Sequence, residues 1–238
     1  MCAWRRSLKV FGQLKQVVCE IRKQEPASRF LLLTLTAKNC PAKELSNSLD
    51  GFFAGFKRLF ERKEVKQHML GYFRALEVTY SVKRGDYHPH FHVLLCMKST
   101  YFAKGYLSQA KWRALWQDVM RLDYLPQVDI RAVNMANDGA IAEVGKYAVK
   151  GDFWEYEVAD MAPIIQTYDD ALKGRRLMAY GGLMRQVHKQ LNLADVETDA
   201  DLVHTDDEQP TGCTCPACGS PMWEHVYEWV RKLGLYVG

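Results

Sequence analysis

Three histidines stand at alternate positions in HPHFHVLLCM, His88 to Met97, before the run turns apolar. Side chains at i, i+2 and i+4 of a strand share one face. The pattern therefore reads as a strand with a polar mouth and a buried body. Histidine is the commonest neutral metal ligand and also a general base. Alternate strand residues lie about 7 Å apart, so one ion can be shared by neighbours but not by His88 and His92. Pro89 cannot donate to a ladder and puts His88 at the mouth; His90 and His92 are the candidate pair. The preceding segment, RALEVTYSV, offers a carboxylate. If VKRGDY turns tightly at Arg84–Gly85, Glu77 falls directly opposite His92 on the same face, with Cβ atoms about 5 Å apart. A slip of one residue would send Glu77 to the far face. Two imidazoles and a carboxylate suit Mn²⁺ or Mg²⁺ bridging to a phosphate.

A second group of reactive residues is AEVGKYAVKGD. On a helix, Glu143 and Tyr147 are four apart and share a face, with Lys150 one turn beyond. Tyrosine, with a pKa near 10, is a poor nucleophile unless its phenolate is stabilised. Lys146, Lys150 and a metal-bound phosphate could supply that stabilisation. Alone, the pattern is weak and better describes a Glu–Lys surface helix with Tyr147 at the core edge. A third group is GCTCPACGS, where Cys215-Pro-Ala-Cys218-Gly is half of a zinc knuckle. Cys213 and His225 are further candidates, with Cys2 an alternative fourth ligand. An unmetallated tail is the competing reading.

These groups need elements to position them. Residues 4–24 read as a basic amphipathic helix, with Leu8, Phe11, Leu14, Val18 and Ile21 at helical spacing and Arg5, Arg6 and Lys9 among its cations. RFLLLTLTA (29–37) is a buried strand, and 42–62 a helix with Phe52, Phe53, Phe56, Leu59 and Phe60 on its apolar side. Strands follow at 71–82 and 88–97, a helix at 108–121, a strand at 128–133 and a helix at 140–151 closed by Gly151. Two more helices are expected at 161–173 and 177–192. The order predicts an α+β domain on an antiparallel sheet. The organisation expected is a basic N-terminal helix (1–25), a catalytic domain (26–194), an acidic linker (195–210) and a Cys-rich tail (211–238).

Composition narrows the function classes. At 238 residues and 48% hydrophobic, the chain is globular. No apolar run approaches the roughly 20 residues of a membrane helix, and the start, MCAWRRSLKV, has no signal-peptide core. Seven cysteines, an odd number with three clustered, do not read as a disulfide framework. A cytoplasmic protein is expected. The net charge of +4 hides an asymmetry: of 32 basic and 28 acidic side chains, 30 and 19 fall in residues 1–194, a surplus of 11. DVETDADLVHTDDE (195–208) carries seven acids and no Lys or Arg. A body that basic suits a polyanion such as nucleic acid, or is simply a solvated surface.

Together the motifs resemble a known family. His90-Phe91-His92 looks like the HUH motif (histidine–apolar–histidine) of the HUH endonucleases. LLLTLTAKN, RALEVTY, YHPHFHVLL and EVGKYAVKGD resemble, in order, the motifs of plasmid rolling-circle replication initiators. The resemblance covers roughly residues 4–190 and is closest to initiators with one catalytic tyrosine and a glutamate one turn before it. It implies a ferredoxin-like or RRM-like sheet and a divalent ion, Mg²⁺ or Mn²⁺, on Glu77, His90 and His92. It implies that Tyr147 attacks the scissile phosphate of a plasmid origin, single-stranded at the nick, while Lys150 and Lys146 assist. Glu143 would activate water at termination, Arg5, Arg6 and Lys9 would contact DNA, and a host helicase and polymerase would be partners. Relatives commonly carry a cysteine pair before Trp-Arg-Arg-Ser, where only Cys2 stands here. A single-tyrosine HUH transposase or relaxase, and a DNA-binding regulator without catalysis, are the rivals.

Overall fold

The computed structural model describes residues 3–133, 149–150, 158–195, 228–230 and 235–237. The chain divides into two compact units, residues 1–199 and 200–238. In the second, Glu228–Val230 and Leu235–Val237 form an antiparallel hairpin. No helix among the described residues is long and apolar enough to cross a membrane.

The first unit is an α+β fold on one sheet. In chain order its elements are α1 (Ala3–Gln24), β1 (Arg29–Thr36), α2 (Ala42–Glu61), α3 (Lys63–Lys66), β2 (Met69–Ser81), β3 (Asp86–Met97), α4 (Thr100–Lys104), α5 (Gln109–Met120), β4 (Val128–Ala132), β5 (Val149–Lys150), α6 (Val158–Leu172), β6 (Met178–Gly181) and α7 (Gly182–Gln190). The strand order is β4-β1-β3-β2-β5, with β6 also pairing β2. Every pairing is antiparallel except the short β2–β5 contact.

Both faces of the sheet are covered, which is why its central strands read as continuous apolar runs. On one face α2 lays down Leu45, Leu49, Phe52, Phe56 and Leu59, at alternate spacings of four and three, against Leu33, Leu76, Phe91 and Val93. Trp112 and Trp116 of α5 and Tyr168 of α6 complete that core. On the other face Val10, Leu14, Val17, Val18 and Ile21 of α1, with Met184 and Val187 of α7, pack on Leu32, Phe73, Ala75, Leu94 and Cys96. That second core runs no further along β3 than Leu94. The next residues on the same face are His92, His90 and His88.

Three expectations are corrected. Residues 177–192 are not one helix: Met178–Gly181 pair with Tyr72–Ala75 as an edge strand, and α7 starts only at Gly182. Gly182, at φ +56°, makes the corner, and a Cβ there would run into the Leu70 carbonyl oxygen. Val149–Lys150, expected at the end of a helix, pair in parallel with Val78 and Thr79. The β2–β3 register also differs: Glu77 lies opposite His90, not His92, and Ala75 faces His92. The connection is a loop over Val82–Gly85 rather than a tight two-residue turn. Gly85 at φ +65° donates its N–H to the Ser81 carbonyl at 2.7 Å. The difference is two residues, and a shift of two keeps every side chain on its face.

Candidate metal centre

The site is built by three strands. β3 is central, and Phe91, fully buried, faces α2 with its ring 5.4, 5.4 and 5.1 Å from those of Phe52, Phe53 and Phe56. Because strand neighbours alternate, anchoring Phe91 on that side turns His90 and His92 to the other. β2 brings Glu77 onto the same face, directly opposite His90. β1 runs along the far side of β3 and ends with Thr36 opposite His90. Pro89 lies just past that end, where a residue without an N–H leaves no β1 bond unmade.

The three side chains converge. Glu77 Oε2 is 2.7 Å from His90 Nε2 and 2.7 Å from His92 Nε2. The carboxylate is buried, with Glu77 only 2% exposed. Each imidazole has a neighbour for its other nitrogen: the His88 carbonyl 3.4 Å from His90 Nδ1, and Thr34 Oγ1 3.5 Å from His92 Nδ1. With protons on both Nδ1 atoms, the Nε2 lone pairs would face the carboxylate oxygen, the usual organisation of metal-bound histidine. At 2.7 Å each Nε2–H can donate to Glu77 Oε2 with no ion present, whereas a cation among the three atoms would take the lone pairs of both nitrogens and of the carboxylate. Adjacent ligands of an octahedral ion bound at about 2.1 Å stand about 3 Å apart, so the residues present fit a small divalent ion. Among the described residues, Glu77, His90 and His92 are a cluster whose donor atoms all lie within 4.8 Å of one another. Two nitrogens and one oxygen would leave further coordination positions of such an ion open.

Around this centre the sheet stays polar. Asp129 of β4 is in register with Thr34, so one row across the face runs Asp129, Thr34, His92. Asp129 pairs with Arg131 at 2.7 Å. His88 stands at the mouth, its ring 5.4 Å from that of His90; burial, and then the neighbouring His90, hold its pKa below the usual histidine value. Sequence reasoning missed Thr34 as the partner of His92. Its signal is present all the same: LLLTLTA keeps its alternation but exchanges leucine for threonine where the face leaves the core.

Of the other expected site residues, Lys9 lies half-buried on α1, and Arg5 and Arg6 fall on the same helix with side chains outside the described residues. Lys150 is placed by its backbone, paired with Thr79 two residues beyond Glu77. Glu143, Lys146 and Tyr147, and the tail residues Cys213, Cys215, Cys218 and His225 together with Cys2, lie outside the described residues.

The model of the replication-protein family matches residues 1–233. A "Protein rep" of Streptococcus pneumoniae is 41% identical over 214 residues, covering 87% of this chain and 66% of the relative. A "Protein rep" of Bacillus amyloliquefaciens is 40% identical over 232 residues, 87% of this chain and 67% of the relative. A "Replication protein" of Staphylococcus aureus is 38% identical over 207 residues, 83% and 88% respectively. The chain thus spans about two thirds of the length of the first two relatives. No solved structure matches. With its family model matched over nearly the whole length and relatives at about 40% identity, the chain belongs to the replication-protein (Rep) family, the plasmid rolling-circle initiators that its motifs resemble.

Proposed function

We propose that the protein starts rolling-circle replication of a plasmid by nicking one strand at the double-strand origin. The observation that carries this reading is the meeting of Glu77 Oε2, His90 Nε2 and His92 Nε2 at one point on the sheet face beyond the second core, in a member of the replication-protein family. A divalent ion held there would polarise the scissile phosphate and offset charge developing on it. Tyr147 Oη attacks the phosphorus, the bond to O3′ breaks, and a 5′-phosphotyrosyl link and a free 3′-hydroxyl result. The link conserves the phosphodiester energy, and a host polymerase extends the 3′ end while a host helicase parts the strands. Support for Tyr147 comes from chain length. Val149 is paired with Val78, the neighbour of Glu77, and two residues of backbone span no more than about 7 Å. Lys150 and Lys146 lower the cost of the phenolate. After one round Glu143 takes a proton from water, which ends the cycle.

Arg5, Arg6 and Lys9 are proposed to hold the duplex, in a protein that works in the cytoplasm. The second unit is proposed to carry a structural zinc on Cys215 and Cys218 with Cys213 or His225; metal analysis of the purified protein checks it, and absence of zinc refutes it. The nuclease reading is tested on supercoiled origin plasmid with Mn²⁺. The parent should give nicked circles and a DNA-linked peptide mapping to Tyr147. Tyr147→Phe should fold but give no adduct, and His90→Ala/His92→Ala should bind duplex but not nick. Nicking by the histidine variant, or an adduct on Tyr101, would overturn the assignment.

A further inference from the structure

A cavity of about 440 Å³ opens beside β6, away from the metal centre, and carries an unusual charge pattern. Arg185, His188 and Lys189 reach it from α7, where positions i, i+3 and i+4 share a face. Met184 and Val187 bury the opposite side of that helix. Arg176, just before β6, adds a third fixed cation. Against these stands one carboxylate. Asp195 enters the cavity and pairs with Arg176. His188 and Tyr180 line the same cavity as Asp195. The chain is latched at the same point by Gln13 of α1, whose Nε2 donates to the Ala194 carbonyl at 2.9 Å.

Two further observations point to an anion larger than one carboxylate. Tyr180 lines the cavity, its ring 4.4 Å from that of His188 and 4.7 Å from that of Phe73. Its hydroxyl is buried without a hydrogen-bond partner among the described residues, a donor that an added oxygen would satisfy. The cavity also lies in line with the metal centre. Tyr180 is in register with Phe73, on the sheet face that carries Glu77, four residues along β2. That is about 13 Å of strand.

We propose that this cavity binds a backbone phosphate of the DNA on which the protein acts, and that Asp195 occupies it when DNA is absent. Asp195, paired with Arg176, then competes with DNA for this cavity. DNA-free protein keeps its cations partly neutralised, and entry of the strand expels Asp195. The inference rests on the reading of the protein as a DNA-nicking initiator.

The test is binding of a labelled single-stranded oligonucleotide by the full chain in EDTA, followed by anisotropy across a salt series. Arg185→Gln/Lys189→Gln removes two exposed cations. It should weaken binding at least tenfold at low salt. The log–log salt slope should flatten by about 0.7, the share of the one single-strand phosphate that is no longer neutralised. Asp195→Asn should tighten binding three- to tenfold with the slope preserved. If both variants bind like a parent that binds and nicks DNA, this inference falls while the nicking reading stands. A parent that neither binds nor nicks fails the nicking reading itself, and this inference with it. Displacement of DNA from the parent by millimolar ATP at constant ionic strength, abolished in the double variant, would make the cavity a free-nucleotide site and overturn the proposal.

Discussion

Phe91→Leu separates the two faces of β3. The ring is fully buried and meets three others at centroid distances between 5.1 and 5.4 Å. Such pairs are worth about 0.5–1.5 kcal/mol each beyond their buried area, while leucine keeps much of that area. The expected cost is therefore about 2–4 kcal/mol. A unit of 199 residues loses roughly 2–4 °C of Tm per kcal/mol, so the melt in EDTA should fall by roughly 5–15 °C. Adding Mn²⁺ probes the opposite face. At a hundredfold excess over Kd, a ligand bound only by the folded state contributes about 2.7 kcal/mol, roughly 5–10 °C here. Phe91→Leu should keep that increment, because it alters packing and no ligand atom. His90→Ala/His92→Ala should lose the Mn²⁺ increment, whatever its EDTA melt becomes once the buried Glu77 carboxylate has lost both imidazoles. Circular dichroism at fixed scan rate reads all four numbers. A parent without a Mn²⁺ increment, or an unchanged increment in the histidine variant, refutes the metal assignment. A Phe91→Leu cost below about 0.5 kcal/mol refutes the anchoring role.

Thr34→Val keeps the strand and the shape but removes the hydroxyl beside His92 Nδ1; it should weaken Mn²⁺ binding by about 10-fold in calorimetric titration with Tm in EDTA unchanged, and equal affinity would exclude Thr34 as a positioning residue. Gly182→Ala forces a side chain into φ +56° and against the Leu70 carbonyl; it should cost about 2–4 kcal/mol in urea unfolding, and parent-like stability would show that the β6–α7 corner is free to shift. Glu143→Gln should nick origin DNA at near the parent rate yet give products longer than one plasmid unit, because the loss of a general base, about 10²–10⁴ in rate, falls on termination alone; equal loss of both steps would assign Glu143 to a structural or metal role.

The parts of this architecture that are legible from sequence share one cause. Alternation on β3 and helical spacing on α2 are local signals that tertiary packing reinforces, so the histidine face and the phenylalanine face follow from the chain itself. The hairpin register is not local. It depends on how VKRGDY closes, and the dipeptide Arg84–Gly85 is compatible with a tight turn as well as with the longer loop that Gly85 ends at φ +65°. The group Glu77, His90, His92 survives this ambiguity because a two-residue shift preserves face; an odd shift would dismantle it. Met178–Gly181 reads as helix because a four-residue edge strand has too few positions to show a period, and it exists by pairing with β2.

Arg74 gives no signal at all. A cation in the middle of a strand suggests solvent, yet Arg74 is 8% exposed, its guanidinium 4.6 Å from the ring centre of Phe53 and 5.1 Å from that of Phe91. It also donates to the Arg176 carbonyl at 3.2 Å. The aromatic cluster that orients the histidine strand thus also holds a cation, whose far end reaches the segment leading into β6 and the basic cavity. Phe91 is the common element, with histidines on one side of its backbone and this arginine against its ring. The physical connection between the metal centre and the proposed phosphate site therefore runs through the core of the sheet as well as along the face that both share.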